Sequence, residues 1–548
     1  MRARAAGRGT EAVGGAALRL RQDAAGGMRL EWVVGVVLML WGCGKQEAPA
    51  ANGAPPAAAV PEGADVEQGP GPDLGNANLI IISLDTLRAD CTSLGAGPEE
   101  ISPALARFAS EATVFTQARS QSPHTAPSHM SLFTSALPSL HGVQNVANTT
   151  APDGSAQAVI VPMREDIPTL AQVLKAAGFR TIGLTDGGNL IPNHGFDRGF
   201  DTYTYTLEGA ARKVDEGLLA CKALTQPGAG RFFLFLHTYQ IHAPYVPPPP
   251  YVEQWAPAGY QGPLRERIET LAGMTLTQRW AAMKSLFWKD RDSFGEAEAG
   301  YLRGLYQGGV RYTDDELARL FEGLQRSGLL DTSIVVVLSD HGEESHEHGR
   351  WQHEQLYEEC LRVPLVVRLP RAWKGGQRID TPVALVDVMP TVLDLLGVDV
   401  RALALPGPVR QQGRTLVVSL LGGPPPPVKP IVSEHIATRG GNFEQQMLIL
   451  TGTIAFLYDE YRGEKLPDGT IKHRVGLWEL ATDPRQEHDL APTSAELVRQ
   501  FEALRAHYRA QVEQDRPAVP PAEAQPLDDE SRRQLEELGY IGGAGEGR

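Results

Sequence analysis

An α/β fold with a central, mostly parallel sheet covered by helices is predicted by three features of this chain. Two runs of apolar β-formers, Leu79-Ile80-Ile81-Ile82-Ser83-Leu84 and Ile334-Val335-Val336-Val337-Leu338, are unbroken rather than alternating. Such runs mark strands buried on both faces, as in a parallel sheet. Strand and helix patterns alternate after Asn78, the signature of crossover units. Both apolar runs also deliver an acid at their carboxyl end, Asp85 and Asp340, the latter followed by His341. In parallel sheets ligands bind beyond those ends. Asp85, Asp340 and His341 therefore predict a site for a hard cation with oxygen and nitrogen ligands. The alternative is that both acids only cap the turns that follow them.

The remaining elements follow along the chain. Ser102-Pro103 opens a helix to about residue 111, and residues 168–177 form another, stopped by Gly178 and followed by a strand over 180–184. Arg231-Phe232-Phe233-Leu234-Phe235-Leu236 reads as a third buried strand, with His237 at its end and His242 in the loop beyond. Residues 251–292 form an insertion near the strand ends, placed to wall a substrate pocket. Residues 301–323 are helical by period, 363–369 form a strand, and 386–396 a helix closed by Gly397. Pro424 to Pro427 marks a boundary. Short strands over 431–434, 446–451, 454–458 and 475–479 then suit a small antiparallel sheet, followed by a helix over 495–514.

Between the two acids lies Ser122-Pro123-His124-Thr125-Ala126-Pro127-Ser128-His129. Pro127 suits the first turn of a helix, which places Thr125 at or just before its start. Backbone N–H groups and the positive helix end there favour an anion. A hydroxyl at that point, beside a divalent cation, is a candidate nucleophile. Thr125 as an ordinary N-cap is the competing reading.

From about Asn78 to Leu490 the chain resembles the sulfatases of the alkaline phosphatase superfamily. Ser83-Leu84-Asp85-Thr86-Leu87-Arg88-Ala89-Asp90 is similar to the family's opening strand and first metal aspartate. Thr125 to His129, with Leu132-Phe133-Thr134-Ser135 and Pro138-Ser139-Leu140-His141-Gly142, resembles its signature segment. Asp340-His341-Gly342-Glu343 and Glu347-His348-Gly349 resemble its second metal segment, and Leu480-Ala481-Thr482-Asp483-Pro484 a late motif. The resemblance implies an alkaline phosphatase-like sandwich with a small C-terminal antiparallel subdomain. It also implies a metal held by Asp85, Asp340, His341 and Thr125, and a histidine, His242 in His242-Ala243-Pro244-Tyr245, that protonates the leaving oxygen. His353 stands in the place of the family's anion-binding lysine. His237 reads as a structural histidine, with substrate binding as its alternative. His129 is expected to orient Thr125 or to touch the ester.

Departures from the family shape the chemical expectation. Sulfatases that form formylglycine carry Cys or Ser at the first signature position and Arg at the fifth; here these are Thr125 and His129. Oxidation of threonine would give a ketone, so no formylglycine is expected. Thr125 instead resembles the direct nucleophile of related phosphodiesterases and phosphoethanolamine transferases. Thr86 stands where many sulfatases place a second metal aspartate. One divalent ion is expected: calcium or magnesium suits the acids, while zinc or manganese suits a site with more histidines.

The chain has 548 residues and a formal net charge of −15, which gives no nucleic-acid footprint. Trp32 to Trp41 is a short apolar stretch with the length of a signal-peptide core. Leu40-Trp41-Gly42-Cys43 resembles a bacterial lipoprotein cleavage site, which makes Cys43 the lipidated first residue. The expected organisation is a signal segment over 1–43 with an upstream extension, a Pro/Ala/Gly-rich linker over 44–76 and a catalytic domain over 77–423. A C-terminal subdomain over 424–514 and a tail over 515–548 complete it. An uncleaved tether is the alternative; both export the chain to the cell envelope, periplasmic or surface-bound. Cys91, Cys221 and Cys360 are too scattered for a disulfide scaffold.

The leading functional expectation is a metal-dependent hydrolase of sulfate or phosphate esters of a small molecule, glycan or lipid, with Thr125 as nucleophile. The alternatives are a transferase of phosphoryl head groups in the cell envelope and a non-catalytic binding lipoprotein that keeps the fold.

Overall fold

The computed structural model describes residues 18–22, 28–32, 71–144, 147–150, 156–439, 442–460, 473–515, 525–527 and 531–532. It divides into two units, Met1–Gln68 and Gly69–Arg548. In the first, Leu18–Gln22 and Met28–Trp32 pair antiparallel. The apolar stretch after Trp32, Cys43 and the linker to residue 70 lie outside the described residues. No helix among the described residues is long and apolar enough to cross a membrane.

The second unit is built on an eight-stranded sheet. Its strands are β1 (Asn78–Leu84), β2 (Thr113–Phe115), β3 (Arg180–Thr185), β4 (Thr202–Tyr205), β5 (Phe232–Thr238), β6 (Ser333–Leu338), β7 (Leu365–Arg368) and β8 (Gln377–Ile379). They run in the order β8-β2-β7-β6-β1-β5-β3-β4. β6, β1, β5, β3 and β4 are parallel neighbours, β8 runs parallel to β2, and β7 is antiparallel to both β6 and β2. This is the mostly parallel α/β architecture that the apolar runs predict.

The reason those runs do not alternate is visible in the core. Ile80, Ile82, Leu234, Leu236, Val335 and Val337 pack into one apolar cluster. Leu79, Ile81, Phe233, Phe235, Ile334 and Val336 pack into another on the opposite face. Since successive strand residues point to opposite faces, a sheet covered on both sides needs apolar residues at every position. The first face is covered by α4 (Ala210–Leu224) and the 31-residue α5 (Glu296–Arg326), the second by α2 (Thr125–Thr134), α3 (Leu170–Ala176) and α6 (Val388–Leu395). Helix α1 (Pro103–Ser110) packs on α5 beside the first face, its Phe108 stacked on Phe321 with ring centroids 4.3 Å apart.

A separate antiparallel sheet of β9 (Ile431–Arg439), β10 (Asn442–Thr451), β11 (Ile454–Asp459) and β12 (Arg474–Glu479) follows. One of its faces carries α7 (Ala495–Asp515), where Phe501 stacks on Phe456. Its first strand meets the main domain: Ser433 Oγ donates to Ser120 O at 2.6 Å and Glu434 N to Gln121 O at 2.8 Å. Those contacts bring residue 435 to the mouth of the site described next.

Candidate active site

The three central parallel strands end side by side, so their carboxyl ends place Asp85, His237 and the Ser339-Asp340-His341 segment together. One ligand atom from each of Asp85, Asp340 and His341 lies within 4.8 Å of the others, and all three side chains are fully buried. Gly342 permits this: a Cβ there would sit 2.0 Å from Glu359 O. Helix α2 arrives from the second face, with His124 as its extended N-cap and Thr125 as its first residue. Ser128 locks that end, since its Oγ donates to Asp340 O at 2.7 Å and sits 2.8 Å from Ser120 Oγ.

Thr125 Oγ1 donates to Asp85 Oδ2 at 3.3 Å and lies 3.2 Å from His341 Nε2. The His341 ring is set by its other nitrogen, 2.9 Å from Gly342 O. With the proton on Nδ1, Nε2 turns a lone pair to the cluster, the usual arrangement for a metal-binding imidazole. Burial, then the charges of Asp340 and Glu343, hold the Asp85 carboxyl well above the usual carboxylate range. Asp340 is raised by burial and partly restored by His129. Burial lowers the His341 ring to about 3, so it is neutral near pH 7.

Two crowded carboxylates that resist ionisation are costly unless a cation joins them. Asp85 Oδ1 and Asp340 Oδ2 are buried and have no hydrogen-bond partner. The donor set of two carboxylates, one imidazole and an adjacent hydroxyl thus fits one divalent cation. Asp186, which follows β3, provides the contrast. It accepts from Gly209 N at 3.0 Å, Thr238 Oγ1 at 2.7 Å and Tyr239 N at 3.0 Å. That acid has backbone and hydroxyl donors and the buried Lys213 ammonium at 4.0 Å as partners, so it needs no further cation.

His237 is fully buried beside the cluster: its Nε2 lies 3.3 Å from Asp85 Oδ2, and His129 and Tyr239 pack edge-on against it. At Thr86, where many sulfatases place a second metal aspartate, Oγ1 donates to Asp85 O at 2.7 Å and the N–H reaches Asp340 Oδ1 at 3.3 Å. His129 is fully buried within the first turns of α2. Its Nδ1 lies 2.9 Å from Thr125 O and 3.4 Å from Asp340 Oδ2, and its Nε2 lies 2.8 Å from Ser83 Oγ.

Beside the cluster runs a chain of histidines that the sequence disclosed only in part. His242 Nε2 lies 3.2 Å from His353 Nε2, His353 Nδ1 lies 3.2 Å from His124 Nδ1, and His124 Nε2 lies 3.2 Å from His435 Nε2. Backbone carbonyls lie within hydrogen-bond reach of Nδ1 on three of these rings: Ala243 O for His242, Pro123 O for His353 and Glu354 O for His435. His353 also lies against His341, with ring centroids 4.4 Å apart. Burial first, then neighbouring histidines, lowers His124 and His353 well below the usual imidazole range, and lowers His242 to about 3. Burial therefore favours the neutral form of His124, His353 and His242. The sequence motifs do not single out His124 or His435. The first stands next to Thr125 and its position alone could have marked it; the second comes from the other sheet and carries no local signal.

Fold and cluster define an α/β protein with a buried carboxylate–imidazole–hydroxyl centre at the carboxyl ends of a mostly parallel sheet. The profile of the family described as Sulfatase matches residues 77–398, and the chain belongs to that family. It is 36% identical over 119 residues to an N-acetylglucosamine-6-O-sulfatase of Bacteroides thetaiotaomicron, 21% of each chain. It is 24% identical over 387 residues to a sulfatase of Formosa agariphila, 60% of this chain and 71% of the relative. Among solved structures, a phosphonate monoester hydrolase from Silicibacter pomeroyi shares the fold with a TM-score of 0.61 at 19% identity, covering 82% of this chain and 99% of that one. The matches to several of the curated relatives span only about a fifth to a quarter of their length.

Proposed function

We propose that this protein hydrolyses sulfate or phosphate esters, with Thr125 as the nucleophile. The observation that carries the reading is the Thr125 hydroxyl at the first turn of α2, 3.3 Å from Asp85 Oδ2 and 3.2 Å from His341 Nε2. Membership of the sulfatase family and the shared fold of a phosphonate monoester hydrolase support the substrate class. Asp85, Asp340, His341 and Thr125 would hold one divalent cation, which when bound favours an ionised hydroxyl and offsets charge on an ester oxygen.

This chain's own residues then divide the work. Thr125 passes its proton towards Asp85 Oδ2, and its oxygen bonds to sulfur or phosphorus as the bond to the alcohol oxygen breaks. His242, protonated once the ester anion is in place, gives the Nε2 proton to the departing alcohol. His353 and the backbone N–H groups of the α2 N-terminus stabilise the remaining oxygens. Water then takes the group from Thr125, and the threonine oxygen regains a proton.

The proposal extends to location: the chain is exported and lipidated at Cys43, a reading supported by Leu40-Trp41-Gly42-Cys43. Cys43→Ser should move the protein from the membrane fraction to the soluble fraction; an unchanged distribution rejects it. Activity is tested with purified, metal-loaded protein on an aryl sulfate, a phosphate monoester and a phosphodiester. Turnover of one of them, lost on chelation, is expected; turnover of none with metal bound favours a binding role.

A further inference from the structure

The insertion between the His242 loop and α5 makes one contact that the site above leaves unused. Its short helix Leu276–Ala281 opens with reciprocal caps: Gln278 N donates to Thr275 Oγ1 at 3.3 Å and Thr275 N to Gln278 Oε1 at 2.9 Å. Two neighbours on that helix reach the His242 loop. Arg279 donates to Val246 O at 3.0 Å, and also to Leu271 O and Met274 O within its own segment. Trp280, 1% exposed, lays its indole over the His242 imidazole with ring centroids 4.7 Å apart and planes 32° from parallel. Tyr239 stands edge-on to both, at 5.6 Å from His242 and 5.7 Å from Trp280.

An imidazole on a loop has two soft torsions. The contact of Nδ1 with Ala243 O at 2.7 Å turns the Nε2 edge towards His353 Nε2, 3.2 Å away. The indole face, with Tyr239 and His353 edge-on to the same ring, sets the plane in which that edge lies. We infer that Trp280 is a positioning residue of the proposed reaction, holding His242 in the plane from which Nε2 protonates the departing alcohol. The inference rests on His242 being the general acid. Its physical basis is that proton transfer demands alignment, and displacement of a reacting group by about 1 Å costs on the order of a hundredfold in rate.

Protonation matters for a poor leaving group and little for a good one, which separates positioning from plain packing. The experiment compares wild type, Trp280→Leu, Trp280→Phe and His242→Ala on the 4-nitrophenyl and alkyl esters of the same acid, with circular dichroism on each variant. For Trp280→Leu, kcat on the alkyl ester should fall about tenfold or more beyond any fall on the nitrophenyl ester. KM for the two esters should move alike. Trp280→Phe, whose smaller ring covers part of His242, should show the same selectivity in weaker form, and it carries the test if Trp280→Leu does not fold. His242→Ala should show the strongest selectivity. Equal losses on both esters, or none, in the Trp280 variants while His242→Ala stays selective would overturn the positioning role alone. A non-selective His242→Ala would overturn the general-acid reading and the inference with it.

Discussion

Replacing Thr125 by alanine removes one oxygen and one methyl from a residue that is 1% exposed. The oxygen makes two polar contacts, with Asp85 and His341, each worth about 0.5–1.5 kcal/mol net. The methyl adds about 0.8 kcal/mol. The expected loss of stability is therefore roughly 2–4 kcal/mol, a shift of several degrees in Tm for a domain of this size. Alanine keeps the helix start, since neither cap of α2 uses the hydroxyl. The rate effect is of another order, because loss of a nucleophile typically costs about 10⁴–10⁶-fold in kcat. Thr125→Ser is the control: it keeps the oxygen, loses the methyl's contribution of about 0.8 kcal/mol, and should stay within about tenfold of wild type. The assay pairs kcat/KM on the ester that the wild type turns over with thermal unfolding. Mass spectrometry of quenched reactions should find the transferred group on the peptide containing Thr125. Near-wild-type turnover by a folded Thr125→Ala protein refutes the nucleophile, and so does a trapped group on any other residue.

Calcium, magnesium, manganese or zinc should raise the Tm of the metal-free protein, by the equivalent of about 2.7 kcal/mol at a hundred times Kd. Asp340→Asn should abolish that rise; a wild type indifferent to all four ions contradicts the cation site. In metal-free protein, Asp85→Asn should leave urea stability unchanged or raise it, because the lost charge is one that Asp340 and Glu343 oppose; a decrease above about 2 kcal/mol contradicts the crowding argument. His141 accepts from Val143 N at 3.0 Å, lies 3.1 Å from Ser131 Oγ, and is lowered by burial to about 3. Its folded form binds fewer protons than the unfolded chain, so its contribution is complete above about pH 6.5 and shrinks as pH falls towards 3. It should weaken the fold by about 3 kcal/mol between pH 7 and pH 4. His141→Gln should flatten that part of the stability–pH curve, and an unchanged slope would rule out His141 as its source.

Much of the centre was legible because its parts sit at the ends of strongly patterned segments. Asp85 and Asp340 follow apolar runs whose burial leaves no other reading of the strands, and Thr125 follows from the placement of Pro127. Direction was less legible. A continuous apolar run says that a strand is buried on both faces, which holds equally for β7, the antiparallel neighbour of β6. The surroundings of His237 were not legible either, because a strand-end histidine shows no partner in the sequence and Asp85 Oδ2 is found 3.3 Å away only in the fold. The insertion had no clear pattern, since its helices are short and only partly covered, yet it supplies Trp280.

What the chain determined alone was local: which segments are strands and helices, and which acids and hydroxyl fall at their ends. Backbone hydrogen bonding and apolar burial act over a few residues and write themselves into the order of side chains. The histidine chain is different in kind. His124, His242, His353 and His435 are brought to 3.2 Å contacts across as many as 311 positions. No periodicity encodes such a meeting, because it depends on how β9 docks against the loop before α2. Tertiary packing alone decided it, along with the indole laid over His242.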